Sequence, residues 1–394
     1  MTAVADAAYL RPVWMEVNLE HLAFNLGQVR RLVGSGVKVM AVIKGNAYGA
    51  GIEGIIDTLL AGGVDMLGTG ILDEALLVRS LGIRTPILVF GYTPFVCAEL
   101  LVANEITQTV YCYEQAAALS AAAAGLGRIA RIHLEIDTGM GRLGFLPHDA
   151  ALREIKAIAA LPHLQIEGIY THCPYTNERE GPGRDFTQRQ FAEFTRFARR
   201  LAAAGVPVPL LHACNSLGIL HYPEMHINMV RAGIILYGSY PGFQQVLPQK
   251  PVMALKTRVG SVKYVPAGHN ISYGHTFAAP RDMLVAVLPV GYADGYSRAL
   301  SNKAHVLIHG RRVPVIGTIC MDQCMVDVTV LREKCRIGDE AVLIGRQGGE
   351  EITVEELSVL GCGYINYEYL VGISHRVPRI YTGRQGAVSG EPGK

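Results

Sequence analysis

The chain lacks the marks of several functional classes. No run of five like charges occurs, and Lys+Arg of 36 against Asp+Glu of 34 leave a formal net charge of +2. That is too close to neutrality for nucleic acid to be the expected partner. Nowhere do about 18 apolar residues follow one another, so no membrane span is expected. The opening MTAVADAAYLRPVW has no basic segment leading into an apolar one, and the expectation is a cytoplasmic protein without an export signal. Cysteine occurs eight times, yet there is no CxxC pair and no zinc spacing. Several of the thiols sit in apolar segments, which points to reduced, buried side chains and no metal.

What is present is material for two domains: 394 residues, 50% of them hydrophobic and 18% charged. From about residue 20 to 235, short apolar runs alternate with amphipathic stretches. The candidate strands are 38–43 (KVMAVI), 64–69, 86–90, 107–111, 131–137 (RIHLEID), 165–171, 208–213 and 227–231 (INMVR). Eight βα repeats predict an α/β fold, a (β/α)8 TIM-type barrel over 12–245, with a doubly wound open sheet as the rival arrangement. Beyond the Pro- and Gln-rich stretch YPGFQQVLPQKPVM the runs become short and β-like, separated by Gly, Pro, Asn and Asp. They predict a mainly β C-terminal domain over 246–384, to which residues 10–18 add a strand, and a disordered tail at 385–394.

Polar residues that follow barrel strands are the candidates for chemistry, because the C-terminal ends of the strands face the active site. Lys44 ends the first strand in AVIKGNAYGAG. Partly desolvated, such an amine loses its proton and attacks a carbonyl to give a Schiff base; left in water it is only a solvated strand end. Tyr48 and the glycines at 49 and 51 suit a tight turn. The fifth strand runs into IDTGMGRLGF, where Arg142 sits among glycines 139, 141 and 144, placed to grip a carboxylate or phenolate or simply exposed on a turn. The sixth delivers His172, the seventh Asn215 and Ser216, and the eighth Arg231 with Gly233. Backbone N–H groups after Arg231, beside a serine hydroxyl, match the phosphate cradle that barrels build after strands seven and eight.

The strings AVIKGNAYGAG, DTGMGRLGF, NSLG, RAGIILYG, ISYGHTF, LPVGYADGYSR, CMDQCMVDVT and RVPRIY stand in this order over residues 12–381. Together they resemble alanine racemase, a pyridoxal 5'-phosphate enzyme with a barrel and a C-terminal β domain. The resemblance implies that Lys44 links to the cofactor aldehyde and acts as one of two acid/base groups. It also implies that Arg231 faces the pyridine nitrogen, and that Tyr48, Asn215, Ser216, Gly233 and Ile234 line the cofactor and its phosphate. His172 would lie against the ring. Tyr273 would be the second base, supplied by the other subunit of a homodimer, although an ordinary tyrosine pKa of about 10 must be lowered for that work. Arg142, Met321 and Tyr292 would meet the amino acid substrate, and Asp322 would assist catalysis or support its loop.

Two positions depart from the family pattern. Glu135 stands where many members carry a lysine whose carbamate orients the arginine; the expectation is that its carboxylate orients Arg142 directly. His375 stands where many members have a tyrosine that reaches the phosphate; it is expected still to donate to the cofactor phosphate and, being shorter, to widen the pocket. The alternative reading is therefore a racemase of broader or serine specificity.

Overall fold

The computed structural model describes residues 11–239, 246–361, 363 and 365–383. The expected disordered tail and the boundary between residues 245 and 246 lie outside, or at the edge of, these described residues. After an opening strand β1 (Val13–Asn18), eight parallel strands form the first body: β2 (Lys38–Val42), β3 (Met66–Thr69), β4 (Ile87–Val89), β5 (Thr107–Val110), β6 (Ala130–Glu135), β7 (Leu164–Tyr170), β8 (Leu210–His212) and β9 (Met229–Ala232). Their order is β8-β7-β6-β5-β4-β3-β2-β9, and β2 pairs with both β3 and β9. This is a nearly closed barrel and not the rival open sheet. Between β8 and β9 the ladder is missing, and Arg231 bridges the gap by donating its backbone N–H to the Cys214 carbonyl (3.0 Å) and its Nη1 to the His212 carbonyl (3.0 Å).

The helix Leu19–Val33 shows why this sequence folds as it does. Asn18 caps it by accepting from the His21 N–H (2.9 Å), and Glu20 at its start and Arg30 and Arg31 at its end suit the helix dipole. Leu22, Leu26, Val29 and Val33, three or four residues apart, are buried on one stripe. Each contributes about 1.5–3 kcal/mol by leaving water. Inside the barrel Met40, Met66, Leu88, Tyr170 and Met229 form a separate apolar cluster.

The second body is a sheet made of β10 (Met253–Arg258), β11 (Ser261–Val265), β14 (Met283–Leu288), β15 (His305–Ile308), β16 (Arg311–Ile316), β17 (Cys324–Asp327), β18 (Glu340–Gln347) and β20 (Arg379–Thr382), with β19 (Glu350–Ile352) paired to β18. A separate hairpin is formed by β12 (Asn270–Ile271) and β13 (Phe277–Ala278). All pairs are antiparallel except β1 with β20, because the opening strand inserts between β10 and β20. The chain therefore starts in the second body before entering the barrel. Arg379 and Tyr381 of β20 reach back across the junction, donating to the carbonyls of Gly49 (2.9 Å) and Ala50 (3.0 Å) in the segment after β2.

Candidate active site

Lys44 is followed by a turn of unusual hand. Gly45, Asn46 and Ala47 have φ/ψ of 65/41, 51/53 and 58/49 degrees, and Tyr48 and Gly49 continue with φ of 54 and 90 degrees. This is one turn of left-handed helix, closed by Ala47 N–H to the Ile43 carbonyl (2.7 Å) and Gly49 N–H to the Gly45 carbonyl (3.0 Å). The sequence predicts only a tight turn here. Left-handed geometry costs a residue with a Cβ about 1–2 kcal/mol, and Asn46, Ala47 and Tyr48 all carry one. What holds it is external. Glu74 accepts from the N–H groups of Asn46 (2.9 Å) and Gly70 (2.8 Å), and the Asn46 side chain accepts from Ile52 N–H (3.0 Å). Such strain is tolerated where the surroundings over-determine it, typically at functional sites. The Lys44 side chain is reached by water through the barrel mouth, yet protein surrounds it on the other sides. Desolvation by those walls, and next the cations Arg142 and Arg231, lower its pKa, while Glu74 opposes them weakly.

Arg231, buried, points across the barrel top. Its Nη1 donates to the His212 ring Nδ1 and carbonyl (3.0 Å each), and its Nη2 to the carbonyls of Thr171 (2.9 Å) and Ala213 (3.2 Å). The guanidinium also lies 5.1 Å from the Tyr170 ring centre. None of these bonds uses Nε. His172 Nδ1 is 3.5 Å from Nη2. Burial, and then the positive charges of Arg231, Arg142 and Lys44, push the His172 pKa down to about 3. Near neutrality this imidazole is therefore uncharged, one N–H and one acceptor nitrogen in the wall of the site.

Between β8 and the turn after β9 lies a small polar cradle. Ser216 Oγ accepts from the N–H groups of Gly233 (3.0 Å) and Ile235 (3.4 Å), and Ile234 opens a 3-10 turn. A Cβ on Gly233 would stand 2.6 Å from the Tyr48 hydroxyl and 3.5 Å from Ser216 Oγ. Glycine is thus required for the space that this phenol, this hydroxyl and the turn's N–H groups enclose. Asn215 is fully engaged elsewhere. Its Oδ1 accepts from Gly218 N–H and Thr176 Oγ1 (2.9 Å each) and its Nδ2 donates to the Cys173 carbonyl (3.1 Å). It caps the helix Ser216–His221 and shapes the cradle from behind instead of lining it.

The loop of Arg142 is organised by a residue the sequence left without a role. Asp137 accepts from the N–H groups of Gly139 (2.9 Å), Met140 (2.8 Å) and Gly141 (3.0 Å). Gly139 and Gly144 have φ of 136 and 117 degrees, and a Cβ on Gly144 would lie 2.9 Å from the Glu135 carbonyl oxygen. Arg142 is left half exposed with Nη2 3.8 Å from Glu135 Oε1. The other Glu135 oxygen accepts from the Tyr170 hydroxyl (3.0 Å). Burial raises the pKa of this carboxyl, against the lowering pull of Tyr170, Arg142 and Arg231. Glu135 therefore faces both ways: a hydrogen bond into the core and a longer charge contact to Arg142.

The candidates from the second body form a group of their own. Tyr273 sits in the turn between β12 and β13, where Ser272 and Gly274 have φ of 66 and 71 degrees. The turn is pinned by Ser272 Oγ donating to the Thr318 carbonyl and by Thr318 Oγ1 donating to the Tyr273 carbonyl (2.9 Å). The backbone is fixed, while the ring is 71% exposed. Tyr273 and Tyr292 line a hollow of about 660 Å³ whose other walls, including Ser297, Ile319 and Glu368, all belong to the second body. Met321 accepts from Ala293 N–H (3.0 Å), and among the described residues its own N–H has no partner. Asp322 accepts from Arg376 Nη2 (2.6 Å), and Arg376 also approaches Asp294 (3.5 Å). This ion pair ties the Asp322 loop to the segment before β20. His375 is exposed and makes no polar contact with a described residue.

The structure thus gathers Lys44, Tyr48, Arg142, His172, Ser216, Arg231, Gly233 and Ile234 at one barrel mouth and leaves Tyr273, Tyr292 and Met321 on the other body. The donor set at the mouth fits pyridoxal 5'-phosphate: an amine of lowered pKa, a cation with an unused N–H, and an N–H and hydroxyl cradle that a Cβ would fill.

Comparison with known proteins agrees. The family model described as alanine racemase, N-terminal domain, matches residues 17–241, and the alanine racemase C-terminal domain matches residues 252–381. An alanine racemase of Clostridium perfringens is 45% identical over 375 residues, 94% of this chain and 96% of that protein. The structure of an alanine racemase of Clostridium difficile superposes with a TM-score of 0.89 at 38% identity, over 95% of this chain and 96% of that one. One from Bacillus anthracis with bound L-Ala-P gives 0.89 at 33%, over 96% of each. The chain belongs to the alanine racemase family, pyridoxal 5'-phosphate-dependent isomerases that interconvert the two enantiomers of alanine.

Proposed function

We propose that this chain racemises alanine with two opposed acid/base groups, Lys44 of one subunit and Tyr273 of the partner subunit. The carrying observation is a mismatch within the single chain. At the Lys44 mouth the described residues offer no second group suited to the work: His172 is held neutral, Tyr48 stands at the cradle, and Glu135 is bonded inward. Tyr273 meanwhile is braced by its backbone and exposed, beside a hollow that no lysine lines. A homodimer that sets one chain's second body over the other's barrel mouth supplies what each lacks.

When bound, the cofactor supplies an aldehyde that links to an amine and a conjugated ring that takes up the electrons of the broken Cα–H bond. Lys44, its pKa lowered by walls and cations, is available as a free amine to move the proton on one face of the substrate carbon. The Tyr273 hydroxyl handles the opposite face, as inversion requires. Arg231 presents a permanent cation and its Nε–H to the pyridine nitrogen, which disfavours protonation there and favours return of the proton to the same carbon. Tyr48, Ser216 and the N–H groups at Gly233 and Ile234 hold the phosphate, with Asn215 shaping the cradle. Arg142 and the Met321 N–H bind the substrate carboxylate, and Tyr292 lines the entrance. The broader or serine-preferring alternative rests on His375, whose exposed and partnerless state gives it no support, whereas the relatives described above are named for alanine. A reducing location, the cytoplasm, suits cysteines that stand as free thiols at all seven described positions.

Mixing two inactive variants tests the shared site. In a heterodimer of Lys44→Ala with Tyr273→Phe, one of the two sites regains both groups, so subunit exchange is expected to restore about a quarter of the wild-type rate. Absence of any recovery in exchanged, cofactor-loaded dimers would place both groups in the same chain. Borohydride reduction followed by peptide mapping is expected to find the pyridoxyl group on Lys44.

A further inference from the structure

Behind Arg231 the barrel interior holds a line of polar side chains that the proposed chemistry does not use. His212 Nδ1 is 3.0 Å from Arg231 Nη1, His212 Nε2 is 2.9 Å from His133 Nδ1, and His133 Nε2 is 3.4 Å from Glu167 Oε2. Both imidazoles are fully buried. Glu167 is partly exposed, lies midway along β7, and its Oε2 is 3.5 Å from the hydroxyl of Thr107, the first residue of β5. Its carboxylate is therefore turned toward the N-terminal ends of the strands, the side of the barrel away from Lys44.

The donors in this line run in one direction. A guanidinium has N–H groups only and cannot accept. His212 Nδ1 is therefore the acceptor, which puts the His212 proton on Nε2. That N–H donates to His133 Nδ1, which puts the His133 proton on Nε2, facing Glu167. Reversing both tautomers would set an N–H of His212 against an N–H of Arg231 in a dry interior, and each would be left unsatisfied. The last contact is the loosest: His133 Nε2 has no well-aligned acceptor. Burial and the Arg231 charge hold both rings neutral, and His133 in turn lowers the pKa of Glu167, whose other charged neighbour is Arg131. The neighbouring sequence is cut to fit. A Cβ on Gly168 would lie 2.8 Å from His133 Nδ1, the β6–β7 register shifts between Ile132 and His133, and Tyr170 stacks on His212 with ring centres 4.9 Å apart.

We propose that Glu167 is a remote positioning residue for Arg231, acting through the Nε2–H tautomers of His133 and His212. Each N–H that is given away makes the acceptor nitrogen on the same ring more basic, so the carboxylate at one end of the line strengthens the hold on the guanidinium at the other. That hold, together with the carbonyls of Thr171, His212 and Ala213, takes both Nη groups and leaves Nε as the N–H the barrel does not use. The consequence for catalysis rests on the reading of Arg231 as the partner of the pyridine nitrogen; the tautomer assignment does not.

Neutron diffraction from deuterium-exchanged crystals of the cofactor-loaded enzyme reads the tautomers directly. Deuterons are expected on Nε2 of both His133 and His212, and a deuteron on Nδ1 of either overturns the relay. Kinetics read its use. Glu167→Leu is expected to lower kcat about tenfold, with the KM for alanine within about twofold, and Glu167→Gln, whose amide oxygen still accepts, to recover most of the loss. An unchanged kcat in the leucine variant, with Nε2 deuterons in the wild type, overturns the positioning role and leaves the Lys44 and Tyr273 reading intact. Should the leucine variant fail to fold, the wild-type deuterons and the kcat of Glu167→Gln relative to wild type, expected within about threefold, still decide.

Discussion

At the scale of single residues the site is governed by what surrounds each charge. Arg142 is a case in which the same carboxylate has two employers. Glu135 bonds to Tyr170 on one side and stands 3.8 Å from Arg142 on the other, too far for a hydrogen bond but close enough for attraction in a partly desolvated mouth. Glu135→Gln keeps the shape and the Tyr170 acceptor while removing the charge. Its expected effect is a rise in the KM for alanine of roughly threefold to tenfold with kcat little changed, because Arg142 loses a restraint but keeps its own charge. Steady-state kinetics check this, and a fall in kcat alone would show that Glu135 acts on the chemical step. For Asp137, which gathers three loop N–H groups, Asp137→Ala is expected to free the whole loop and cost about 2–3 kcal/mol of stability, read as a shifted urea midpoint. Lys44 and Arg231 were legible from strand-end position and from the family motifs. Asp137, His212 and Tyr170 were not, because a polar residue within an apolar run gives no sign of which neighbour satisfies it.

At the scale of elements, the turn after β2 decides how the amine is presented. Five consecutive residues with positive φ are held by Glu74, by the Asn46 side chain and by Arg379 arriving from β20. Arg379 also gathers the carbonyls of Ile373 (2.7 Å), Ser374 (2.7 Å) and Val377 (2.6 Å), which gives the RVPRIY motif its physical meaning as a clasp between the bodies. Gly49 has φ of 90 degrees, and a Cβ there would lie 2.2 Å from the Leu370 carbonyl oxygen. Gly49→Ala is therefore expected to destabilise the chain by at least about 2 kcal/mol, from backbone strain and overlap together. Chemical denaturation checks the value, and a change below about 0.5 kcal/mol would show that the clasp yields easily. Glycines in the sequence announce a turn; its left-handed sense is held by contacts that range from 6 to 330 residues away along the chain.

At the scale of the whole molecule, acid is expected to loosen the fold well before carboxylates titrate. Burial lowers the pKa values of His133, His172 and His212 below the ordinary 6.5. As pH falls through that value the unfolded chain takes up protons that the folded chain refuses, so stability is full above about pH 7 and declines below it, continuing down to about 3 for His172. Each of the two fully buried rings contributes a slope approaching about 1.4 kcal/mol per pH unit. Urea midpoints measured from pH 7 to 5 are expected to fall steadily, and a flat profile would mean that these rings protonate in the folded state. By itself the sequence determined the alternation of strand and helix, hence the barrel and the β domain, and it marked Lys44, Arg142, Ser216, Arg231 and Tyr273. Those features are written in local period, in turn residues and in motifs, which survive without knowledge of the fold. Only the tertiary structure decided that β1 inserts between β10 and β20, that the turn behind Lys44 winds to the left, and that burial among cations holds His172 neutral. Each of these depends on groups brought together across long stretches of sequence, where desolvation and hydrogen-bond pairing are set by neighbours that no local pattern names.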